Sequence, residues 1–265
     1  MVVQRVRAGV LSHAVDSVAE EVPVALEYNG VSHAVMLATP ANLEDFGYGF
    51  SVTEGIVDSS ADLLDCEVAE SERGITLQLT INAACFARLK LHRRNLTGRT
   101  GCGLCGAESL SHAVRPSPRV NTDACFEAAA VCAAVDGLRA LQPLQEATGA
   151  THAAAWCAAS GHIVCLREDV GRHNALDKLI GAMLRSGAPM QNGFIVVSSR
   201  ASYEMVQKAA VAGVGLLVAL SGVTALAARQ AEQAGVGLIG YARGSNFSIY
   251  SHPARIGRNN LESSA

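Results

Sequence analysis

The chain has 265 residues, 49% of them hydrophobic, with a formal net charge of −3. That length suits one large domain or two modest ones and buries about 70–75% of the unfolded surface. The near-neutral balance gives no global reason to expect nucleic acid or an anionic membrane as partner. Eight cysteines are too few for a disulfide-stapled scaffold, and residues 1–22 interrupt their apolar pieces with Arg5, Arg7, Asp16, Glu20 and Glu21, so no secretory leader opens the sequence. The reading is a reducing cytoplasm.

In chain order, Val22–Tyr28 and Val31–Leu37 are short apolar strands separated by Asn29-Gly30, a strong two-residue hairpin signal. Thr39-Pro40 then fits a helix start, with Thr39 as N-cap and Pro40 at the first helical position. Leu43, Phe46, Phe50 and Val52 continue as an apolar stripe toward Ile56, and Gly55 marks its end. Ile75–Ile81 alternates apolar with polar residues and reads as a half-buried strand. A basic stretch follows, then Arg115-Pro116-Ser117-Pro118 as a seam. The expected division is therefore 1–115, a smaller amino-terminal mixed α/β domain, and 116–265.

The second part is more regular. Asp123 to Leu141 predicts an Ala-rich helix, Ala153–Ala158 and His162–Arg167 two strands, and Asn174–Leu184 an amphipathic helix. Phe194–Val197, a helix from Ser202 to Ala212, Leu216–Leu220, a helix Thr224–Ala234 and Val236–Tyr241 then alternate β-α-β-α-β. Continuous apolar strands between helices predict a mostly parallel sheet covered on both faces. Ala209 to Ala228 lacks any charge over twenty residues, the length of a membrane helix. Its glycines and Ser221-Gly222 break it instead into helix end, buried strand and new helix.

Residues 99–106, Arg-Thr-Gly-Cys-Gly-Leu-Cys-Gly, put Cys102 and Cys105 on a glycine backbone that leaves them little steric shielding. Arg88, Lys90, His92, Arg93, Arg94 and Arg99 precede them, and positive charge favours thiolate. An unperturbed thiol near pKa 8.5 is about 3% ionised at pH 7, and one lowered to about 7 is half ionised. The pair reads as a sulfur-chemistry site; a zinc knuckle or two plain loop thiols are the alternatives. Zinc needs two further ligands, for which His92 and His112 are the near candidates. The deaminase pattern of H-x-E before P-C-x-x-C is absent from the sequence.

Ligands collect at strand carboxyl ends in such sheets. There stand Asp169, Arg172 and His173 after one strand, and Ser198, Ser199 and Arg200 before a helix, where N–H groups, hydroxyls and a guanidinium suit an anion. Tyr241, Ala242, Arg243, Gly244, Ser245 and Asn246 close the last strand as a turn able to approach a phosphate or nucleobase. Gly235-Val-Gly-Leu-Ile-Gly240 matches G-x-G-x-x-G only in letters, since it follows a helix and opens a strand.

RTGCGLCG, Thr151–Trp156, Glu168–Gly181, Ser198–Ala210 and Gly240–Ile256 together resemble the formate dehydrogenase accessory sulfurtransferases. The resemblance implies a carboxy-terminal three-layer, cytidine-deaminase-like domain without zinc chemistry, so α/β locally and α+β overall, in a homodimer. It implies a sulfur carrier that takes persulfide sulfur from a cysteine desulfurase and delivers it to the bis-molybdopterin guanine dinucleotide cofactor for formate dehydrogenase. It assigns the persulfide to Cys102, a more variable role to Cys105, and the guanine dinucleotide to residues 241–246, where Gly-Ser-Asn stands in place of a proline and a second basic residue. A non-covalent cofactor chaperone and a thiol-disulfide oxidoreductase using Cys102 and Cys105 are the rival readings.

Overall fold

A computed structural model describes residues 1–97 and 117–257, for 92–97 the backbone alone. Cys102, Cys105, Arg99, His112 and the 115–116 boundary lie outside the described residues. The chain opens with a ribbon absent from the sequence expectations: β1 (Val2–Arg7) and β2 (Val10–Val15) pair antiparallel around Ala8 and Gly9, both at positive φ.

The first sheet has the order β4-β3-β6-β5, with β3 Val22–Tyr28, β4 Val31–Ala38, β5 Leu63–Ser71 and β6 Gly74–Ile81. Asn29 and Gly30 turn the β3–β4 hairpin at φ 48 and 78, a conformation open to asparagine and glycine. One face buries Val24, Leu26, Tyr28, Leu77, Leu79 and Ile81 against α1 (Leu43–Thr53) and α2 (Ala83–Thr97). The basic stretch is thus helical, with Cys85 and Leu89 buried one turn apart.

Thr39-Pro40 does not start α1. The helix begins at Leu43 after Asn42, which sits at φ 55 without capping through its side chain. Thr39 is buried instead and spends all three polar groups on the second half of the chain. Its N–H donates to Asp169 Oδ2 (3.0 Å), its Oγ1 accepts from the Val170 N–H (3.1 Å), and its carbonyl accepts from Lys178 Nζ (2.8 Å).

The second sheet runs β13-β12-β11-β10-β8-β9. Its strands are β8 His152–Ala158, β9 Ile163–Asp169, β10 Gly193–Val197, β11 Leu216–Ala219, β12 Gly237–Arg243 and β13 Asn246–Ser251. Pairing is parallel from β10 through β12 and antiparallel at β9–β8, β8–β10 and β12–β13. Four strands therefore share one direction, and the expected mostly parallel sheet is mixed in its pairing. Helices α5 (Arg172–Ser186), α6 (Tyr203–Val211) and α7 (Ala225–Ala234) cover one face through Leu176, Leu179, Met205, Val206 and Ala231. Helix α3 (Ala128–Leu138) covers the other through Val131, Ala134 and Leu138, giving three layers. The helix expected from Asp123 starts five residues later, because Phe126–Glu127 form β7 against β14 (Ile256–Gly257). A short α4 (Pro143–Thr148) follows α3.

The apolar stretch 209–228 resolves as the end of α6, β11 and the start of α7, and among the described residues no helix is long and apolar enough to cross a membrane. Thr224 caps α7, its side chain accepting from the Ala227 N–H at 3.2 Å. Thr224→Ala is expected to cost about 1 kcal/mol in a denaturant titration; an unchanged midpoint would show that water replaces the cap without loss.

The two sheets are joined by buried charge and a tight helix crossing. Lys178 Nζ donates to Asp169 Oδ2 at 2.6 Å, with neither side chain reaching solvent. Lys208 Nζ meets Thr53 Oγ1 (2.9 Å), Glu54 Oε1 (2.8 Å) and Asp177 Oδ2 (3.0 Å). Burial works against the Lys208 charge, but Asp177 and Glu54 outweigh it and hold its pKa above the ordinary value. Asp45 binds both Arg167 and Arg185. Helices α1 and α5 cross where Gly49 faces the Asp177 carbonyl and Gly181 faces the Asp45 carbonyl, so near that a Cβ on either glycine would overlap backbone.

Candidate functional site at the strand ends

Because β9, β10, β11 and β12 point the same way, their carboxyl ends lie along one rim, where β8 and β13 begin. Backbone hydrogen bonds stitch the loops there: Ser198 N–H to Ala153 O, Ala201 N–H to Gly222 O, and Tyr241 N–H to Ser221 O, all 2.9–3.0 Å. His152, 170–173, 198–202, 220–224 and 241–246 thus become neighbours although they span almost a hundred residues.

Two helices present their N-termini to this rim. The N-cap residues Gly171 of α5 and Ser202 of α6 are extended and make no side-chain cap bond. Free N–H groups at a helix start attract an anion through both hydrogen bonding and the aligned peptide dipoles. Arg172 stands at the start of α5 with its Nε buried and without a hydrogen-bond partner among the described residues. His173 Nε2 lies 2.9 Å from Glu204 Oε2 on α6, which ties the two N-termini together. Burial lowers the His173 pKa, Arg172 and Lys208 push the same way, and Glu204 opposes them. His152 is lowered by burial and then by Arg172. Burial therefore biases both imidazoles toward the neutral form, and the Arg172 guanidinium stands beside them as a cation.

The expected site residues divide by what they touch. Asp169 faces inward. Its Oδ1 accepts from the Gly171 N–H (2.7 Å) and Asn174 Nδ2 (3.0 Å), and its Oδ2 from Thr39 and Lys178, so its acceptors are taken by protein donors. Ser198 Oγ accepts from the Ala153 N–H (2.9 Å), buried Ser199 donates to the Arg200 carbonyl (3.0 Å), and Ala242 packs in the core. These four brace the rim from beneath. Arg200, Tyr241, Arg243, Ser245 and Asn246 are exposed on it, and Gly244 makes the β12–β13 turn at φ 55.

Tyr241 combines φ 52 with 59% exposure, an uncommon backbone state for a bulky residue. Its hydroxyl reaches so near Gly222 that a Cβ there would stand 2.9 Å away. Gly222 and Glu204 escaped the sequence reading. A glycine at the end of β11 and a carboxylate in the first turn of α6 were the available signals, but each also has an ordinary explanation as turn and helix-dipole partner.

The basic approach to the thiols is partly spent. Arg88 pairs with both oxygens of Asp58 (3.0 and 2.9 Å), and Lys90 sits 4.0 Å over the Phe86 ring. Asp58, Asp62 and Cys85 bring metal-type ligand atoms within 4.8 Å of one another. Arg88 and Asn82 already bond to this group, so a positive charge occupies the place an ion would take.

The sequence model of the FdhD/NarQ family matches residues 19–257. The chain belongs to the FdhD/NarQ family. It is 55% identical over 254 residues to the sulfur carrier protein FdhD of Cupriavidus necator, covering 96% of this chain and 88% of that one. It is 53% identical over 256 residues to the sulfur carrier protein FdhD of Bordetella petrii, covering 96% and 92%. Its fold matches a crystal structure from Desulfotalea psychrophila, described as a formate dehydrogenase accessory protein, with a TM-score of 0.74 over 97% of each chain at 22% identity. The family match takes in both sheets and the whole rim, and leaves the β1–β2 ribbon before its first matched residue.

Proposed function

We propose that this chain is a sulfur carrier for formate dehydrogenase, acting in a reducing cytoplasm. The observation that supports this most directly is its identity of more than half, across nearly its full length, to proteins named sulfur carriers. In the first step the Cys102 thiolate attacks the outer sulfur of a persulfide on a cysteine desulfurase. A new S–S bond forms on Cys102, the donor's S–S bond breaks, and the donor thiolate leaves. The outer sulfur then passes to the metal of the bis-molybdopterin guanine dinucleotide, which is substrate here: the S–S bond to Cys102 breaks, the reduced metal of that substrate gives the sulfur two electrons to bring it to the sulfide level, and Cys102 leaves as its thiolate.

The rim fits the anionic end of that substrate. Paired helix N-termini, the unpartnered Arg172 Nε and the exposed guanidinium groups of Arg200 and Arg243 suit a diphosphate, and the exposed Tyr241 ring suits a base. His152 and His173, whose charged forms burial disfavours, offer ring nitrogens for hydrogen bonding there.

The test uses guanosine diphosphate as the probe for the nucleotide half. Arg200→Ala and Arg243→Ala are each expected to weaken binding about tenfold or more, the worth of a charge-assisted hydrogen bond. Both side chains are exposed, so folding is kept. The double variant is expected to fail in restoring formate dehydrogenase activity to cells lacking the carrier. Unchanged nucleotide affinity together with full restoration would end the reading.

A further inference from the structure

The rim is cationic with one exception. His152 and residues 170–173, 198–202, 220–224 and 241–246 include Arg172, Arg200 and Arg243 and no carboxylate. Just before them, Asp169 is taken up by Thr39, Gly171, Asn174 and Lys178. Glu168 is taken up by the N–H groups of Leu144 and Gln145 and by the Thr151 hydroxyl. Glu204, in the first turn of α6, differs from both, since its side chain is 55% exposed.

Local structure places that carboxylate between the two halves of the rim. On one side its Oε2 lies 2.9 Å from His173 Nε2 at the start of α5. On the other, Ala201 is hydrogen-bonded to Gly222 (3.0 Å) and Thr224 (3.1 Å), and the Tyr241 hydroxyl closes on Gly222. Ser202 Oγ donates to the same Oε2 at 3.4 Å, and among the described residues nothing bonds to Oε1. A carboxylate has about four acceptor positions, so at least two are left open toward solvent.

For a diphosphate such a group is a liability. It repels the phosphates and competes with them for the N–H groups at the start of α6. An exposed ion pair adds little stability in return. What the carboxylate offers is a charged acceptor for a neighbour that donates from adjacent positions. On its Watson–Crick edge guanine donates in that way, with N1–H and the N2 amine side by side. Adenine sets an N1 lone pair and a C–H in the same two places, and the lone pair is repelled. We propose, resting on the rim as the nucleotide site, that Glu204 is its specificity-determining residue and accepts from guanine N1–H and the N2 amine. The start of α5 with Arg172 then serves the diphosphate, and the start of α6 presents Glu204 to the base, with His173 as the positioning residue that holds the carboxylate.

The experiment titrates the full chain with guanosine, inosine and adenosine diphosphates by calorimetry, for wild type, Glu204→Gln and Glu204→Ala. Inosine keeps N1–H and lacks the N2 amine, so the series removes the two donors one at a time. Wild type is expected to bind the guanosine form about tenfold tighter than the inosine form and about 100-fold tighter than the adenosine form. Both variants keep the wild-type circular dichroism, because the side chain is exposed. In each, guanosine diphosphate is expected to weaken about tenfold or more, while adenosine diphosphate holds or tightens as a repelling charge is lost. A wild type that binds the three alike overturns the assignment of Glu204 and leaves the proposed function standing. So does a guanine preference that survives Glu204→Ala, or a variant that weakens all three equally, as when the carboxylate only braces His173. A wild type that binds none of the three overturns the rim as the nucleotide site, and the assignment with it. Arg200→Ala and Arg243→Ala mark the difference, since loss of a phosphate contact is expected to lower all three affinities by the same factor.

Discussion

Cys102→Ser is expected to abolish sulfur loading while leaving the fold untouched. Incubated with a cysteine desulfurase and cysteine, the wild-type protein gains about 32 Da, one sulfur, and the variant gains nothing. The serine hydroxyl supplies no appreciable alkoxide at neutral pH, so the attacking partner is missing. The rest of the chain offers little competition. Burial pushes the Cys66 and Cys157 thiols up to about 12, and Cys132 and Cys165 are raised for the same reason. Among the described cysteines only Cys125 is exposed, so Cys125→Ser is the control and is expected to load normally. Restoration of formate dehydrogenase activity is expected to vanish with Cys102→Ser. A non-covalent chaperone would keep that activity, and a thiol-disulfide oxidoreductase would depend equally on Cys105 and turn over a model disulfide. A Cys102→Ser protein that still gains one sulfur and still restores activity would falsify the sulfur-carrier reading.

What the sequence allowed to be read follows from the range of the forces involved. The β3–β4 hairpin, the β10-to-β12 alternation and the Thr224 cap depend on neighbours a few residues away, and their patterns are visible in the letters. Their order along the chain also places the strand ends on one rim, so the rim is legible in the sequence. Thr39 misleads because its N-cap chemistry is intact but spent elsewhere: its oxygen and N–H bond to residues about 130 positions away. Asp169 misleads for the mirror reason, since a polar residue after a strand looks outward until Lys178 is known to lie beneath it. Lys178 and Lys208 sit on helices that also carry polar residues, yet both are buried, because Thr39 ahead of α1, and Thr53 and Glu54 at its end, lie over them. Helix α2 was hidden by its basic residues, although Cys85 and Leu89 keep the helical spacing. The β1–β2 turn at Ala8-Gly9 lacks the Asn-Gly signature that exposed the other hairpin.

The same Gly→Ala change is expected to act with opposite sign at two helical sites. In α3, a Cβ on Gly137 would meet only Ile163 Cδ1 at 3.7 Å, an ordinary contact. Gly137→Ala therefore gains helix propensity and restricts the unfolded chain, stabilising by about 0.5–1 kcal/mol. In α5, a Cβ on Gly181 would overlap the Asp45 carbonyl of α1, and neither backbone can step aside without breaking something. Asp45 is held by Arg167 and Arg185, and one turn along the seam Asp177 is held by Thr53 and Lys208. Parting the helices leaves those buried charges short of partners, so overpacking and lost ion pairing add. Gly181→Ala is expected to cost about 3 kcal/mol or more in a denaturant titration, and Gly49→Ala a similar amount. The double variant is expected to cost less than the sum, because a crossing already opened by one methyl accommodates the second. The effect also reaches the rim, since α5 carries Arg172 and His173 at its first turn; guanosine diphosphate affinity is expected to fall with Gly181→Ala and to stay unchanged with Gly137→Ala. Equal midpoints for Gly137→Ala and Gly181→Ala would mean that the two halves of the chain are held by their charges alone and that the helix crossing contributes nothing.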